Sequence, residues 1–423
     1  MKYAFANLTL YGANGSFKPL ENMTVLTDGD VITDILDSDK KIPAGYRRIN
    51  LKGKYMIPGM INLSSHLFSC KKDLNEIKDI ALQKAIVGTF SQSMAKGIPD
   101  KIATENMENA LNSGVTTVRI MGDSHYSDVR VRNIIKNKLE KGPRIIASGP
   151  AITAEGGYGD GLFAVSSGDC HSLSIHVDAH AAIDTDYIRI IADRHLSGDA
   201  SPVMTPEMIK TVTDRAHLLG YKVSAYCEQN KSVISALENG VDIIEGYADA
   251  TVDTVKLMKE KGASLILSIS PMLSLARLSQ TLTSLDSEKA LVARERIKGA
   301  VHFARLAILA GIPVGIGSGA SLPFVTHYSF FRELYFFSKY CAVSPIDAIK
   351  TATLTNASLL GLDGTLGSID KGKTADMVIL SSDPAKDITA LSKPVAVVRA
   401  GDLIDKLSIK KNPESDRLAD LLM

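Results

Sequence analysis

The chain has 423 residues, with 48 lysines and arginines against 47 aspartates and glutamates, so its formal net charge is +1. A hydrophobic fraction of 45% with 22% charged residues is typical of a globular protein and argues against disorder. The balanced charge removes the main reason to expect a nucleic-acid partner. No apolar run approaches the roughly 18 residues that span a bilayer, so no membrane association is expected.

The N-terminal segment predicts β-structure. Its first ten residues mix polar side chains into an apolar run, which favours a strand over a secretion signal. The β-prone runs 23–27 and 31–35 are separated by Asp28-Gly29-Asp30. These runs predict a hairpin, because glycine accepts the positive φ that such a turn requires.

The middle of the chain alternates short apolar runs with helix-like segments. Unalternated apolar runs are typical of strands buried on both faces of a parallel sheet. Helix starts are indicated at Thr205-Pro206 and Ser344-Pro345, where an N-cap residue precedes proline. Eight such units predict a (β/α)8 TIM barrel, and no GxGxxG motif supports the alternative of a doubly wound open sheet. The predicted strands are 59–63, 115–121, 144–148, 187–192, 222–226, 241–245, 263–269 and 312–317.

The C-terminal segment returns to β-character, with predicted strands at 375–380 and 395–399. One small β-sandwich domain built from both termini is the most economical arrangement. We therefore predict a composite domain from 1–57 and 364–423, and a barrel from 58–363.

Cysteines and histidines give little sign of a metal site outside the strand ends. The four cysteines form no CxxC pair, so neither disulfides nor a zinc knuckle is indicated, and reduced thiols in the cytoplasm are the default expectation. His171, His176 and His180 lie close in sequence, and the last two would share a helix face. An HxxxH pair alone is a weak metal signal, so an ordinary polar helix face is the favoured interpretation.

Several motifs resemble those of the metal-dependent amidohydrolase superfamily, in its imidazolonepropionase-like or prolidase-like branch. LKGKYMIPGMIN at 51–62 is similar to the lead into the first barrel strand, and GPRIIASGPAIT at 142–153 to the third. Three segments near the end of this sequence are similar to the family's C-terminal signature. They are ATLTNA at 352–357, LGL at 360–362 and GSIDKGKTAD at 367–376. The resemblance implies a barrel whose strand ends hold one or two metal ions that activate water for attack on a C–N bond.

The resemblance also implies metal ligands, which can be compared position by position. The family uses an HxH pair after strand 1, a carbamylated lysine on strand 4, histidines after strands 5 and 6, and an aspartate after strand 8. After strand 6 the family's histidine corresponds to Gly246, which offers no ligand. A shift of one residue in this comparison would offer Tyr247, which is not a usual zinc ligand either. The corresponding positions here are Ser64, His66, Arg189, Tyr226, Gly246 and Gly319, and the family's substrate-side histidine after strand 3 corresponds to Tyr158.

Five of these six ligand positions therefore carry residues that do not bind zinc, and only His66 is a remnant ligand position. A catalytic zinc needs at least three protein donors, and arginine cannot form the bridging carbamate. We accordingly expect no metal and no other cofactor, with zinc or another divalent ion implied by the resemblance alone. His195 follows strand 4 and is a further candidate for the pocket. Carboxylates near strand ends, each favoured as structural or surface groups, are Asp123, Glu155, Glu228 and Glu245.

The altered positions predict a cationic pocket rich in hydroxyl groups. A buried arginine needs an anionic partner, and its planar fork suits a carboxylate or phosphate. One hypothesis is a metal-free barrel that binds a small anionic ligand through Arg189. The competing interpretation is that Glu245 or Asp123 neutralises Arg189 within the protein.

Three functional classes remain open at this point. The leading hypothesis is a pseudoenzyme or small-molecule-binding barrel on an amidohydrolase scaffold. The alternatives are an active hydrolase of amide, cyclic amide or dipeptide bonds with a relocated site, and a structural partner of an active paralogue. The resemblance also makes a homo-oligomer an expectation.

Overall fold

The computed structural model describes residues 1–68, 97–194, 202–282, 287–322 and 324–423. The strands are β1 Lys2–Leu10, β2 Leu20–Asp28, β3 Val31–Asp37, β4 Arg47–Asn50, β5 Tyr55–Pro58, β6 Met60–Ser65, β7 Val115–Ile120, β8 Arg144–Ile146, β9 Ala151–Thr153, β10 Ala164–Ser166, β11 Ile188–Ile191, β12 Val223–Cys227, β13 Ile243–Gly246, β14 Ser264–Leu267, β15 Val314–Ile316, β16 Met377–Leu380, β17 Pro394–Arg399 and β18 Asp402–Ile404.

The helices complete the list of elements. Short 3₁₀ turns cover Ser124–Tyr126 and Ile388–Ser392, and a π-helical turn covers Thr351–Thr355. The α-helices are α1 Gly97–Asn112, α2 Ser127–Lys136, α3 Cys170–Ala182, α4 Pro206–Leu218, α5 Asn230–Glu238, α6 Val252–Glu260, α7 Ser270–Leu282, α8 Ser287–Leu309, α9 Phe330–Cys341, α10 Pro345–Lys350, α11 Asn356–Leu359 and α12 Pro413–Asp420.

Strands from both ends of the chain form one eight-stranded sheet. Its order is β18-β17-β16-β5-β1-β2-β3, and β4 pairs with β1. The predicted hairpin is present between β2 and β3, with Gly29 at φ +60°. Apolar side chains on these strands, among them Phe5, Met56 and Val398, form a separate small core. The two termini thus build one β unit, while its description as a sandwich and the boundaries 1–57, 58–363 and 364–423 remain predictions.

The remaining strands are parallel to one another and form two sheets. One sheet has the order β6-β7-β8, and the other has the order β10-β9-β11-β12-β13-β14-β15. Each of the eight predicted apolar runs overlaps one of these strands, whereas β9 and β10 lie outside the predicted runs. The strands are buried along their length, as the unalternated runs indicate. The mixed α/β class with a parallel sheet is therefore confirmed.

Hydrogen bonds connect both edges of the three-stranded sheet to the seven-stranded sheet. Gly319 N donates to Ser64 O over 2.8 Å and His66 N donates to Ala320 O over 3.0 Å, which joins β6 to the segment after β15. Asp186 N donates to Ala147 O over 2.7 Å, which joins the end of β8 to the start of β11. The carboxyl ends of the strands consequently gather on one side of the fold.

The predicted helix starts are also present. The hydroxyl of Thr205 accepts a hydrogen bond from Met208 N at the start of α4, and that of Ser344 accepts one from Asp347 N at the start of α10. Within the described parts of the chain, no helix combines the length and apolar character that crossing a bilayer requires.

Candidate functional site

A cavity opens at the carboxyl ends of the parallel strands. The space that the centre of a water molecule can occupy in it is about 50 Å³, and the empty space between its lining atoms, including the part open to solvent, is about 690 Å³. The structure brings together all the residues selected by comparison with the family's ligand positions. The cavity lining includes Ser64, His66, Tyr158, Arg189, Tyr226, Gly246 and Gly319.

Two buried arginines share one carboxylate beside this cavity. Glu245 on β13 lies between Arg119 on β7 and Arg189 on β11, and all three side chains are less than 5% exposed. Arg119 Nη2 donates to Glu245 Oε1 over 2.6 Å, and Arg189 Nε donates to Glu245 Oε2 over 3.1 Å. Each oxygen of the carboxylate therefore contacts a different guanidinium group.

The cluster carries one more positive than negative charge. Burial alone would raise the pKa of Glu245, but the guanidinium groups of Arg119 and Arg189 outweigh it and lower that pKa to about 2. Glu245 is thus ionised at neutral pH, and two permanent cations face one anion. Removing charges from water is costly unless they are paired, so the surplus charge favours a further anion near the cluster.

Of the two arginines in the cluster, Arg189 is the one that lines the cavity. Its Nη1 donates to Met121 O over 2.9 Å, and its guanidinium lies 5.6 Å from the centre of the Tyr226 ring. Nη2 has no acceptor among the described residues. Of the two partners considered from the sequence, Glu245 pairs with Arg189, while Asp123 accepts a hydrogen bond from the Ser124 amide. Neutralisation by Glu245 is shared with Arg119, so it is incomplete.

His66 follows β6 and enters the cavity as a neutral ring. Its Nδ1 lies 2.9 Å from Gly122 O, and because a carbonyl can only accept, Nδ1 must carry the proton. Burial, with a smaller contribution from the charge of Arg189, lowers the pKa of His66 to about 4. Nε2 is left as a hydrogen-bond acceptor. His66 therefore adds no second cation to the cavity near neutral pH.

Aromatic side chains form much of the remaining lining. Phe163 contacts both His66 and Tyr158, with ring centres 4.9 Å and 5.1 Å apart. Tyr226 lies 5.5 Å from Tyr158 and 6.3 Å from Tyr247. The hydroxyl of Tyr226 donates to the buried carboxylate of Glu228 over 2.6 Å. The other apolar lining residues are Met121, Ile266, Pro271, Met272, Leu275 and Leu322.

The two glycines at ligand positions occupy backbone that rejects a side chain. Gly246 has φ +109°, and a Cβ atom there would lie 2.3 Å from Cys227 O. Gly319 has φ +65°, and a Cβ atom there would lie 2.4 Å from Pro271 Cγ at the start of α7. A histidine or an aspartate could not be introduced at these positions without moving the backbone or α7.

The residues present do not fit the metal centre that the resemblance implies. Among the described residues, no group of three or more His, Cys, Asp or Glu side chains is arranged to hold a metal ion. A guanidinium occupies the position of the bridging lysine, and its charge would repel a divalent cation. His195 lies outside the described residues, so its candidacy for the pocket remains a prediction.

The other candidate residues from the sequence have structural surroundings of their own. His180 on α3 is fully buried with Nε2 2.7 Å from Pro150 O, and His176 Nε2 lies 3.1 Å from Ser167 Oγ. Asp123 is buried beside Asp128, and burial raises its pKa to about 8. Glu155 is exposed. None of these residues is among those that line the cavity.

Several parts of the site were not selected from the sequence, among them Phe163, which contacts His66 and Tyr158. Arg119 was not selected, although an arginine inside the otherwise uncharged buried run VTTVRI carries the same signal as Arg189 in IRII. The contribution of α7, which begins at Ser270 three residues after β14 ends, was also missed. No motif marks that helix, because its role depends only on where it packs.

Comparisons with known proteins agree with the fold. A family model described as "Amidohydrolase family" matches residues 55–404. Ochratoxinase of Aspergillus niger is 24% identical over 418 residues, covering 90% of this chain and 82% of that protein. Imidazolonepropionase of Picrophilus torridus is 24% identical over 399 residues, covering 89% and 90%. A solved Bifidobacterium longum protein proposed to be a prolidase has a TM-score of 0.88 at 29% identity, covering 100% and 98%.

Proposed function

Because this chain belongs to the amidohydrolase family, we propose that its strand-end cavity is the family's active-site region converted into a metal-independent binding site for a small anion. The observation that carries this proposal is the cluster of Arg119, Glu245 and Arg189 at the position implied for the bridging metal ligand. On this proposal the chain does not catalyse metal-dependent C–N hydrolysis.

The charges and the backbone support the proposal independently. One surplus positive charge beside the cavity favours an anionic ligand, and Arg189 Nη2 provides a donor for it. The conformations of Gly246 and Gly319 exclude the ligand side chains that the family's chemistry requires at those positions. We further infer that the two parallel sheets are arcs of one barrel, supported by the hydrogen bonds that connect both edges of the three-stranded sheet to the other sheet.

Metal analysis and ligand titration of the full-length protein test this function. After incubation with Zn²⁺ and dialysis, we expect well below one metal ion per chain. Acetate, formate or benzoate added at constant ionic strength should raise the melting temperature of the wild type and not that of the Arg189→Met variant. In this variant Glu245 keeps Arg119 as its partner, so the substitution removes the surplus charge without leaving a buried carboxylate alone.

Two results would contradict the proposal. One is a stoichiometric metal ion that is lost in a His66→Gln variant. The other is the absence of Arg189-dependent binding for every anion tested. Arg215→Met provides a matched control, because Arg215 pairs with Asp178 on the outer helices and lies away from the cavity.

A second candidate is an active hydrolase with a non-standard site. The observation that favours it is the neutral His66 ring, whose Nε2 could accept a proton at the cavity beside the cation of Arg189. Hydrolysis of dipeptides, N-acyl amino acids or cyclic imides in the presence of EDTA, abolished by His66→Gln, would support this function. No turnover of any of these substrates would leave the binding function as the better account.

A further inference from the structure

We infer that the ligand of this cavity is a monocarboxylate with a flat, apolar body, such as an aromatic carboxylic acid. This inference rests on the proposed anion-binding function and adds two properties to it: the number of negative charges on the ligand and the character of its uncharged part. Each property follows from a different set of side chains.

The charge of the lining sets the charge of the ligand. Arg189 and Glu245 are the charged side chains among the described lining residues, and Arg119 lies behind Glu245. Two cations and one anion leave a surplus of one positive charge. His66 does not add another near neutral pH, because burial disfavours the charged form of its ring and lowers its pKa to about 4. A monoanion balances this surplus, whereas a dianion would bury an uncompensated negative charge.

The position of Arg189 sets the orientation of the ligand. Nη2 is the nitrogen of Arg189 without an acceptor among the described residues, and it belongs to a guanidinium 5.6 Å from the Tyr226 ring centre. A carboxylate that accepts from Nη2 therefore places the atoms bonded to it next to Tyr226.

The aromatic lining sets the character of the ligand's body. The rings of Phe163, Tyr158 and Tyr226 follow one another at centre-to-centre distances of 5.1 Å and 5.5 Å, which is the spacing of interacting aromatic pairs. Pro271, Met272 and Leu275 on α7 add apolar surface. A planar apolar ring has little hydration to lose and gains contacts with both kinds of surface.

Calorimetric titration of the full chain with four probes tests the inference. We expect benzoate to bind at least tenfold more tightly than acetate, which has the same charge and no ring. Benzamide has the ring without the charge, and phosphate has charge without the ring, so both should bind at least tenfold more weakly than benzoate.

Two variants connect the probes to the residues. Phe163→Leu should weaken benzoate binding by about threefold to tenfold and leave acetate binding unchanged. Arg189→Met should weaken benzoate binding by about tenfold to a hundredfold, and Arg215→Met should leave it unchanged. Far-UV circular dichroism of each variant confirms that the fold is retained.

The outcomes separate this inference from the function on which it rests. If acetate or phosphate binds as tightly as benzoate and Arg189→Met still abolishes binding, the aromatic monocarboxylate is wrong and the anion site stands. If Phe163→Leu weakens acetate as much as benzoate, the ring contact is wrong. If no probe binds in an Arg189-dependent manner, the anion-binding function itself is wrong.

Discussion

Glu245 is the residue on which the electrostatics of the site depend. Its two oxygens hold two different guanidinium groups, and the hydroxyl of Ser224 accepts from Arg119 beside it. A carboxylate shared in this way cannot be replaced by an amide, which has only one acceptor oxygen and adds two donors facing the arginines. The three members of the cluster are therefore not equivalent in their effect on stability.

Replacing Glu245 by glutamine should destabilise the protein by about 3–5 kcal/mol, because it leaves two buried cations without their anion. Arg189→Met should cost clearly less, since the remaining pair of Arg119 and Glu245 is balanced. Urea denaturation at pH 7 measures both values. Glu238→Gln, at an exposed position on α5, is the matched control and should change stability by no more than about 0.5 kcal/mol. Equal costs for Glu245→Gln and Arg189→Met would contradict this account of the cluster.

His327 contacts the backbone of His66 and makes the stability of the protein depend on pH. Its Nε2 donates to His66 O over 2.8 Å, and burial lowers the pKa of His327 from 6.5 to about 4. Between these values the unfolded chain binds a proton that the folded chain does not. The stability contributed by a neutral His327 is therefore complete above pH 6.5 and is lost as the pH falls toward 4.

His327→Gln should remove this dependence, because the amide can still donate to His66 O but does not titrate. The stability of the wild type relative to the variant should increase by about 3 kcal/mol from pH 4 to pH 6.5. Denaturant titrations at half-unit pH intervals measure the two curves. Parallel curves over this range would show that His327 is protonated equally in both states.

At the scale of elements, the ends of strands β13 and β15 decide what the cavity can hold. Strand β13 ends at Gly246, whose backbone approaches Cys227 of the neighbouring strand β12. After β15, Gly319 lies against Pro271 of α7, so this helix occupies space that a side chain at position 319 would need. Glu333 on α9 fixes the start of α7 by accepting hydrogen bonds from the amides of Ile269 and Ser270.

A series of glycine substitutions should separate the cost of conformation from the cost of overlap. Gly246→Ala combines φ +109° with a close contact, and should cost about 2–5 kcal/mol. Gly220→Ala has φ +83° and open space, and should cost about 1–2 kcal/mol. Gly364→Ala has neither, and should stay within about 0.5 kcal/mol. Thermal unfolding checks this order; a cost for Gly246→Ala no larger than that for Gly220→Ala would contradict the contact with Cys227.

At the scale of the whole molecule, the C-terminal helix connects the end of the chain to the helix that positions α7. Arg332 on α9 donates to Asp416 and Asp420 of α12 over 3.3 Å and 2.6 Å. Leu418 and Leu422 join the main core, with exposed fractions of 2% and 3%. The residue next to Arg332 is Glu333, which binds the amides at the start of α7. The packing of α12 against α9 therefore helps to fix the position of α7, which lines the cavity.

Leu418→Ala should therefore destabilise the protein by about 2–4 kcal/mol, through lost burial and the cavity it leaves. Leu421→Ala is the matched control on the exposed side, because Leu421 is 67% exposed, and it should change stability by no more than about 0.5 kcal/mol. Chemical denaturation measures both. Equal effects of the two substitutions would show that α12 does not pack against the core as described.

Local pattern made much of the fold predictable. The unalternated apolar runs located eight parallel strands, and the N-cap and proline pairs at Thr205 and Ser344 located two helix starts. The strand-end residues selected by family resemblance all line one cavity. Strands β9 and β10 were not predicted, because neither lies in one of the eight apolar runs, whereas the equally short strands β8 and β15 do.

The sequence by itself determined the fold class, the family and the residue types at the strand ends, because these follow from short-range patterns and from the order of motifs. Only the tertiary structure showed that Glu245 serves two arginines, that His66 is neutral, and that Gly246 and Gly319 have no room for a side chain. Each of these depends on groups far apart in sequence: Arg119 and Glu245 are separated by 126 residues. Pairing of charges and close packing between distant segments leave no local pattern, yet they decide the charge and the shape of the site.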